Sequence, residues 1–472
     1  MNFSIKAFFK NFSYSLSSNL ISMIISTLII ALVPKMVGVT EFGYYQLYIF
    51  YASYVGFFHF GWCDGIYLKY GGTEYEKYDK PLMSSQFWLL LIFEFSVSSI
   101  LSIIILNCPF DSNKNLIFFM VIISLLLVIP KTLLIYLLQI SNRIKHYAIC
   151  LIIEKVVYFI LTLLFLFLDF DSFEILIIAD LLGKVSSLFI SIYYCKDIVF
   201  SKPIFSKKSF NEALDNLNVG IKLLVANIAG MLILGIIRVA IENQWSIETY
   251  GKISLAINIS NMVLIFINAI GIVVFPILKR LNIDKIKNVY HNVQDVLMLF
   301  LFATFLAYVP IRTILLYWLP NYADSLEYLA ILYPLCIYES KMSLLVNTYL
   351  KVLRKERYLL LVNVMIVLLS SLLTYFSVFV LENIYLTMFC IFFLFALRCI
   401  LCEFILGKSM SLSFAKNIFS EFIMCIIFIV CNLLLSNLYS FIVYTIVYLT
   451  YLYINKQSIL HIKKFLLDVV QK

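Results

Sequence analysis

The sequence predicts an all-α polytopic membrane protein of about fourteen transmembrane helices. Three observations carry this. Hydrophobic residues make up 63% of the 472 positions and charged residues only 13%, about half the charged share of a soluble globular chain. The mean hydropathy is +0.98, which leaves too little polar surface to face water. The apolar residues also fall into fourteen runs of about 20 residues, the length of a helix crossing a bilayer.

In chain order the runs are 13–33, 42–64, 84–107, 115–139, 147–168, 174–195, 217–241, 248–276, 292–318, 325–350, 358–380, 385–406, 418–436 and 439–455. The first follows Lys6 and Lys10 in the manner of a signal peptide. No small-residue cleavage site follows, and Pro34-Lys35 closes a full-length span, so it reads as an uncleaved first helix. The longest gaps are 65–83, 196–216 and the tail 456–472. None has the roughly 40–50 residues that a folded soluble domain needs.

The basic residues set the orientation. With the N-terminus inside, 25 of the 36 Lys and Arg fall in inside segments, and only Lys35 and Lys114 fall in outside loops. That asymmetry is the positive-inside pattern, and it puts both termini in the cytoplasm. It also accounts for most of the net charge of +9 without nucleic acid.

A shift of 208 residues lays Asn19 over Asn227 and Met23 over Met231, within Ser18–Ile25 over Ala226–Ile233; the same shift lays Gly43 over Gly251. The first pair sits in spans 1 and 7, the second at the start of spans 2 and 8. Six spans separate the copies, so both point the same way, as in parallel transporter repeats. The expected organisation is two six-helix bundles, 1–212 and 213–406, with two further spans and a tail in 407–472.

No catalytic motif appears: no GxxxxGK[ST], no HExxH, no GxSxG. The ten cysteines mostly lie inside apolar runs, and Cys399-x-x-Cys402 has no second pair or nearby histidine, so they read as small buried hydrophobes. The four histidines share no metal-ligand spacing, so neither metal nor cofactor is expected. Gly61 and Gly65 form a GxxxG that reads as close helix packing.

Charge inside the spans is more informative, because each such group costs roughly 2.5–3.5 kcal/mol at the bilayer centre. The expected cationic, substrate-binding set is Lys131, Lys155, Lys184, Lys222, Arg238, Lys341 and Arg398. Five of the seven have a plainer alternative. Lys184 has Asp180 four residues before it, and Arg238 has Glu242 four residues after; such pairs neutralise one another on one helix face. Lys131, Lys222 and Lys341 are near enough to a span end to snorkel. Arg398 has no carboxylate within one turn. Arg312 and Lys252 are interfacial. Glu94, Glu154 and Asp180 are candidates for ion coupling, Glu94 first because its own helix gives it no basic neighbour, with pairing to another span as the alternative. Ser15, Asn19, Ser22 and Ser26 share one face of span 1, and Asn258, Asn261 and Asn268 one face of span 8. These faces meet other helices or water, with Asn19, Ser22, Asn258 and Asn261 as polar cavity lining. A cationic, polar cavity suits a large anionic substrate.

Pro34-Lys35-Met36-Val37-Gly38-Val39-Thr40-Glu41-Phe42-Gly43-Tyr44-Tyr45, Gly65-Ile66, Tyr70-Gly71-Gly72 and Thr249-Tyr250-Gly251 resemble the Wzx-type O-antigen and capsular polysaccharide flippases. These belong to the polysaccharide transport family of the multidrug/oligosaccharidyl-lipid/polysaccharide exporter superfamily. The resemblance covers essentially the whole chain and is mainly structural. It implies a non-enzymatic membrane protein of the bacterial inner membrane. Two lobes would flip an undecaprenyl-diphosphate-linked oligosaccharide between leaflets by alternating access, among membrane lipid and with polysaccharide polymerase and chain-length partners. Many relatives carry an acid late in span 7, where this chain has Ile237-Arg238-Val239, so a coupling role for that acid does not transfer. A cation-coupled multidrug exporter of the same superfamily is the first rival. A membrane enzyme would need a large outside loop, and a non-transporting scaffold would tolerate loss of the buried cations.

Overall fold

The computed structural model describes residues 5–278, 283–353, 355–410 and 415–456. Helices account for nearly all of them, and no strand occurs among the described residues. The chain divides into two compact units, Met1–Ile228 and Ala229–Lys472.

The first unit holds α1 (Ile5–Met36), α2 (Val39–Tyr54), α3 (Trp62–Lys69), α4 (Lys80–Asn107), α5 (Ser112–Ile140), α6 (Ile144–Phe167), α7 (Phe173–Tyr194), the short α8 (Lys196–Val199) and α9 (Lys207–Gln244) as far as Ile228, the rest of α9 belonging to the second unit. Local sequence explains their limits. Asp79 caps α4 by accepting from the Leu82 amide at 3.1 Å, with Pro81 in the first turn, where a missing amide hydrogen costs nothing. Along α4 the buried positions Met83, Phe87, Leu90, Glu94 and Ser98 recur every three or four residues, the stripe of a helix packed on one side. Its other side, with Ile92, Phe95, Ile100 and Ile103, is exposed and apolar, which is a surface for lipid. Helix α1 packs on α6, α4 on α5 and α6 on α7.

The second unit holds α10 (Ile247–Leu278), α11 (Ile283–Leu306), α12 (Tyr308–Trp318), α13 (Ala323–Leu332), α14 (Leu335–Lys341), α15 (Asn347–Val352), α16 (Glu356–Thr374), α17 (Ile384–Met410), α18 (Ala415–Leu434) and α19 (Asn437–Ile454). A π turn, Met342–Val346, follows Lys341. The span 325–350 bends by 49° around Pro334, and 292–318 by 40° between α11 and α12. Proline lacks the amide hydrogen that would continue the ladder.

Ten helices are long and apolar enough to cross a membrane alone, and twelve spans result if each bent pair counts as one, among the described residues. The other two expected spans are helical as well. Residues 248–276 lie within the continuous α10, whereas 42–64 is interrupted between α2 and α3. The 208-residue offset is written into the helix ends: α1 ends at Met36 and α9 at Gln244, α2 begins at Val39 and α10 at Ile247. The interruption is where the copies part. Phe60 and Gly61 have φ of 51° and 94°, and Gly61 is matched by Ala269 in the unbroken copy. A left-handed residue ends a helix, and glycine adopts it at least cost. The freed groups are satisfied locally, as a membrane interior demands. The Trp62 amide donates to the His59 carbonyl at 2.9 Å and the Gly61 amide to His59 Nδ1 at 2.9 Å.

The GxxxG reading is met at this break. A Cβ on Gly65 would lie 1.9 Å from the Asn216 carbonyl oxygen, and one on Gly220 would lie 1.9 Å from the Gly61 carbonyl oxygen. Helices α3 and α9 therefore cross backbone against backbone.

Candidate functional site

The first unit gathers polar side chains inside its apolar helices at two places. On α7, Lys184 pairs with Asp180 at 2.6 Å. The ammonium also donates to Ser124 Oγ at 2.9 Å and Tyr48 Oη at 3.1 Å, and Tyr48 donates to Asp180 at 2.7 Å. Tyr45 and Tyr158 join hydroxyls nearby on α2 and α6. Lys184 is thus neutralised by its own helix. The second place lies between α5 and α6, where Lys131 pairs with Glu154 at 2.6 Å. Adjacent residues on a helix point in different directions, so Lys155 is turned away from that pair. Its ammonium stands 6.0 Å from the Tyr158 ring centroid and within electrostatic reach of Asp180. Lys155 makes no ion pair or hydrogen bond among the described residues, and Lys222 on α9 is exposed and equally without an ion pair.

The second unit neutralises its cations more fully. Lys341, at the end of α14, is 0% exposed and meets two carboxylates, Glu403 of α17 and Glu421 of α18, each at 2.6 Å. Tyr290 and Gln294 of α11 donate to Glu403 at 3.1 and 3.4 Å. Snorkelling does not apply to Lys341. Arg398 of α17 donates through Nε to Asn363 at 2.9 Å and through Nη1 to Glu339 at 3.3 Å. Its partner lies on α14, across helices rather than along one. Arg238 donates to Ser254 at 2.9 Å, with its guanidinium 5.2 Å from the Tyr250 ring centroid.

Among the expected polar lining, Asn19 and Ser22 on α1 and Asn258 and Asn261 on α10 are half-buried. The Ser15 and Asn268 side chains lie outside the described residues, as do the tail beyond 456 and the segments 279–282 and 411–414. Glu94 differs from every other acid in the spans: it is 0% exposed, and neither carboxylate oxygen has a hydrogen-bond partner among the described residues. The alternative, pairing with a cation on another span, is not met among the described residues.

Outside the spans, short loops are tied by ion pairs. Lys80 meets Asp197 at 2.7 Å, Tyr75 donates to the same carboxylate at 2.7 Å, and Arg143 reaches Glu76 at 2.9 Å while stacking 3.5 Å over Tyr75. Burial pushes the Asp197 carboxyl up, but Lys80 and Tyr75 outweigh it and hold it below the ordinary carboxylate value. Among the described residues no cluster of three or more His, Cys, Asp or Glu is placed to hold a metal ion.

Tyr48, Ser124, Tyr290, Gln294 and Asn363 are the residues a scan for intramembrane charge misses. They carry none, and only their convergence on Asp180, Lys184, Glu403 and Arg398 marks them.

Many apolar helices with charge held inside both units define a multi-pass α-helical membrane protein. The polysaccharide biosynthesis protein family matches residues 8–282, and the chain belongs to that family. Comparison with curated proteins gives no match. Among solved structures, the chain is similar to "Lipid II flippase MurJ, inward closed conformation", with a TM-score of 0.65, 12% identity, and coverage of 95% of this chain and 99% of that one. It is also similar to an inward-facing multidrug resistance MATE family transporter of the MOP superfamily, with a TM-score of 0.61, 12% identity, and coverage of 83% and 98%. An outward-facing MATE transporter gives 0.53, 12%, and 85% and 96%. At these identities the likeness is one of fold.

Proposed function

We propose that the chain is not an enzyme but a flippase. It moves an undecaprenyl-diphosphate-linked oligosaccharide from the cytoplasmic to the outer leaflet of the bacterial inner membrane, by alternating access, in O-antigen or capsule assembly. The observation that carries this reading is the family match over 8–282 in a chain that keeps basic side chains within its spans. A diphosphate needs cations that the fold has not already neutralised. Five of the seven expected cations have polar or acidic partners of their own. Lys155 and Lys222 lack an ion-pair partner among the described residues and are the proposed diphosphate contacts. Lys131, Lys184, Arg238, Lys341 and Arg398 take supporting roles in the same reading, and Asn19, Ser22, Asn258 and Asn261 supply polar lining. Both termini lie in the cytoplasm, and the polymerase and chain-length proteins of the same glycan are the proposed partners.

The test is complementation of a flippase-null bacterium that makes the cognate glycan, at matched membrane levels. Wild type restores surface polysaccharide, and Lys155→Ala or Lys222→Ala lowers it at least tenfold. Restoration by wild type with both variants unchanged refutes the cation assignment. Correct insertion without restoration refutes the flippase and favours the multidrug exporter.

A further inference from the structure

Helix α4 carries five buried polar side chains, and three of them are fully accounted for. Ser84 donates to the Ser201 carbonyl at 2.8 Å, Ser85 to the Pro81 carbonyl at 2.8 Å, and Gln86 to the Ser209 carbonyl at 2.9 Å. Gln86 also accepts from Trp62 Nε1 at 3.0 Å. These bonds serve the first turns. Two turns further, Glu94 has neither oxygen satisfied, and one turn beyond it the Ser98 hydroxyl is also unpartnered. Both are buried on the stripe that α4 turns inward. An ionised carboxylate with no donor is very costly in such a place, whereas its neutral acid is not. Buried polar groups left unsatisfied call for a specific reason.

We propose that Glu94 is a proton-binding site, taking up a proton from the aqueous phase as a carboxylic acid and releasing it as a carboxylate during the transport cycle. In the conformation described, the proton is bound and occluded. This inference rests on the transporter reading for its cycle, but its chemistry is separate.

The surroundings select the proton over a metal cation. Metal ions need a shell of several ligands, and here one carboxylate and one serine hydroxyl are at hand. The ionisable groups on the neighbouring elements are engaged or uncharged. On the interrupted span, His59 accepts from the Gly61 amide, Cys63 is a buried thiol, and Asp64 is a buried acid that contributes no positive charge. On α5, Lys131 is held by Glu154, and Lys114 sits in the first turn of the helix, far along the chain from its middle. On α8, Asp197 is held by Lys80. On α9, Glu212 is held by Lys69, and Lys207, Lys208 and Lys222 are exposed, so among the described residues no cation meets Glu94 where it stands. The interruption between α2 and α3 gives the site its moving part. Phe60 and Trp62 of the break pack on Phe93, with centroids 5.8 and 6.1 Å apart, next to Glu94. A change in the break therefore bears on Phe93, the residue before Glu94 on α4.

The full chain in lipid nanodiscs is equilibrated between acid and alkaline buffer, and the carbonyl stretch of protonated carboxyl groups is followed by infrared difference spectroscopy. Wild type should show a band that Glu94→Gln loses and Glu94→Asp displaces. In the complemented strain, the Glu94→Gln protein should insert normally but lose the wild-type response of surface polysaccharide to a protonophore. An unchanged band in Glu94→Gln overturns the proposal, and so does an unchanged protonophore response. If wild type restores no polysaccharide while the band still belongs to Glu94, the proton site stands and the flippase reading fails.

Discussion

Gly220→Ala tests the crossing of α3 and α9 with a single methyl group. Gly220 does not use a left-handed backbone, so alanine is conformationally allowed and the perturbation is purely one of space. The new Cβ would lie 1.9 Å from the Gly61 carbonyl oxygen, 2.5 Å from the Gly65 nitrogen and 2.8 Å from the Gly61 carbonyl carbon, where real contacts stay beyond 3.0 Å. All three are backbone atoms, so no side chain can rotate aside, and the helices must separate by about 1 Å, the difference between 3.0 and 1.9 Å. Overpacking of this kind costs about 1–3 kcal/mol, and the helix propensity of alanine returns at most about 1 kcal/mol. The expected result is a net loss of about 1–2 kcal/mol in detergent unfolding of the purified protein. Gly56→Ala is the control, since nothing lies within 4 Å of its added methyl. The double variant Gly65→Ala, Gly220→Ala should lose less than the sum, because one separation accommodates both methyls. A Gly220→Ala protein as stable as Gly56→Ala would refute the backbone crossing.

Two further outcomes follow from the ion pairs. Lys341→Met leaves Glu403 and Glu421 buried together without their cation and should cost about 3–5 kcal/mol. Adding Glu403→Gln and Glu421→Gln should recover most of it, which the same unfolding measurement reads. Asp197, held below its ordinary 3.8 by Lys80 and Tyr75 despite its burial, binds a proton more readily unfolded than folded. Its contribution is therefore present above pH 3.8 and lost as pH falls through the lower folded value. Asp197→Asn should remove that acid-side loss from a pH profile of thermal stability.

Helix placement was legible because lipid imposes it: the fourteen apolar runs fall in helices, three of them (42–64, 292–318 and 325–350) broken or bent, and the 208-residue offset reappears at helix ends on both sides of the repeat. Asp180–Lys184 was legible for a different reason, since a pair four residues apart lies on one face by helix geometry alone. The same rule is blind across helices. Lys131 and Glu154 are 23 residues apart, and Lys341 and Glu403 are 62 apart. Their meeting depends on which helices neighbour which, and a span-by-span reading carries no such information. Arg398 shows the consequence. It looked unopposed on its own helix, yet Glu339 and Asn363 arrive from α14 and α16.

Hydropathy did not place the interruption of span 2: 42–64, with Gln46, His59 and Asp64, is less apolar than its unbroken counterpart, but that alone does not say where a helix stops. The difference lies in Gly61 against Ala269, and it does two things at once. The positive φ of Gly61 ends the helix, and its missing Cβ admits Gly220 and Ile221 of α9. Any side chain at 61 would meet the Ile221 nitrogen at 2.5 Å, so the turn and the crossing cannot be separated by substitution there. Gly65 can be altered without touching the turn, since its added Cβ would meet only Asn216 backbone atoms, whereas one on Gly220 would meet Gly61 itself. A variant at Gly65 therefore separates loss of packing from loss of the break. If the break beside Glu94 serves proton exchange, the infrared band of Glu94 should persist in Gly65→Ala even as stability falls.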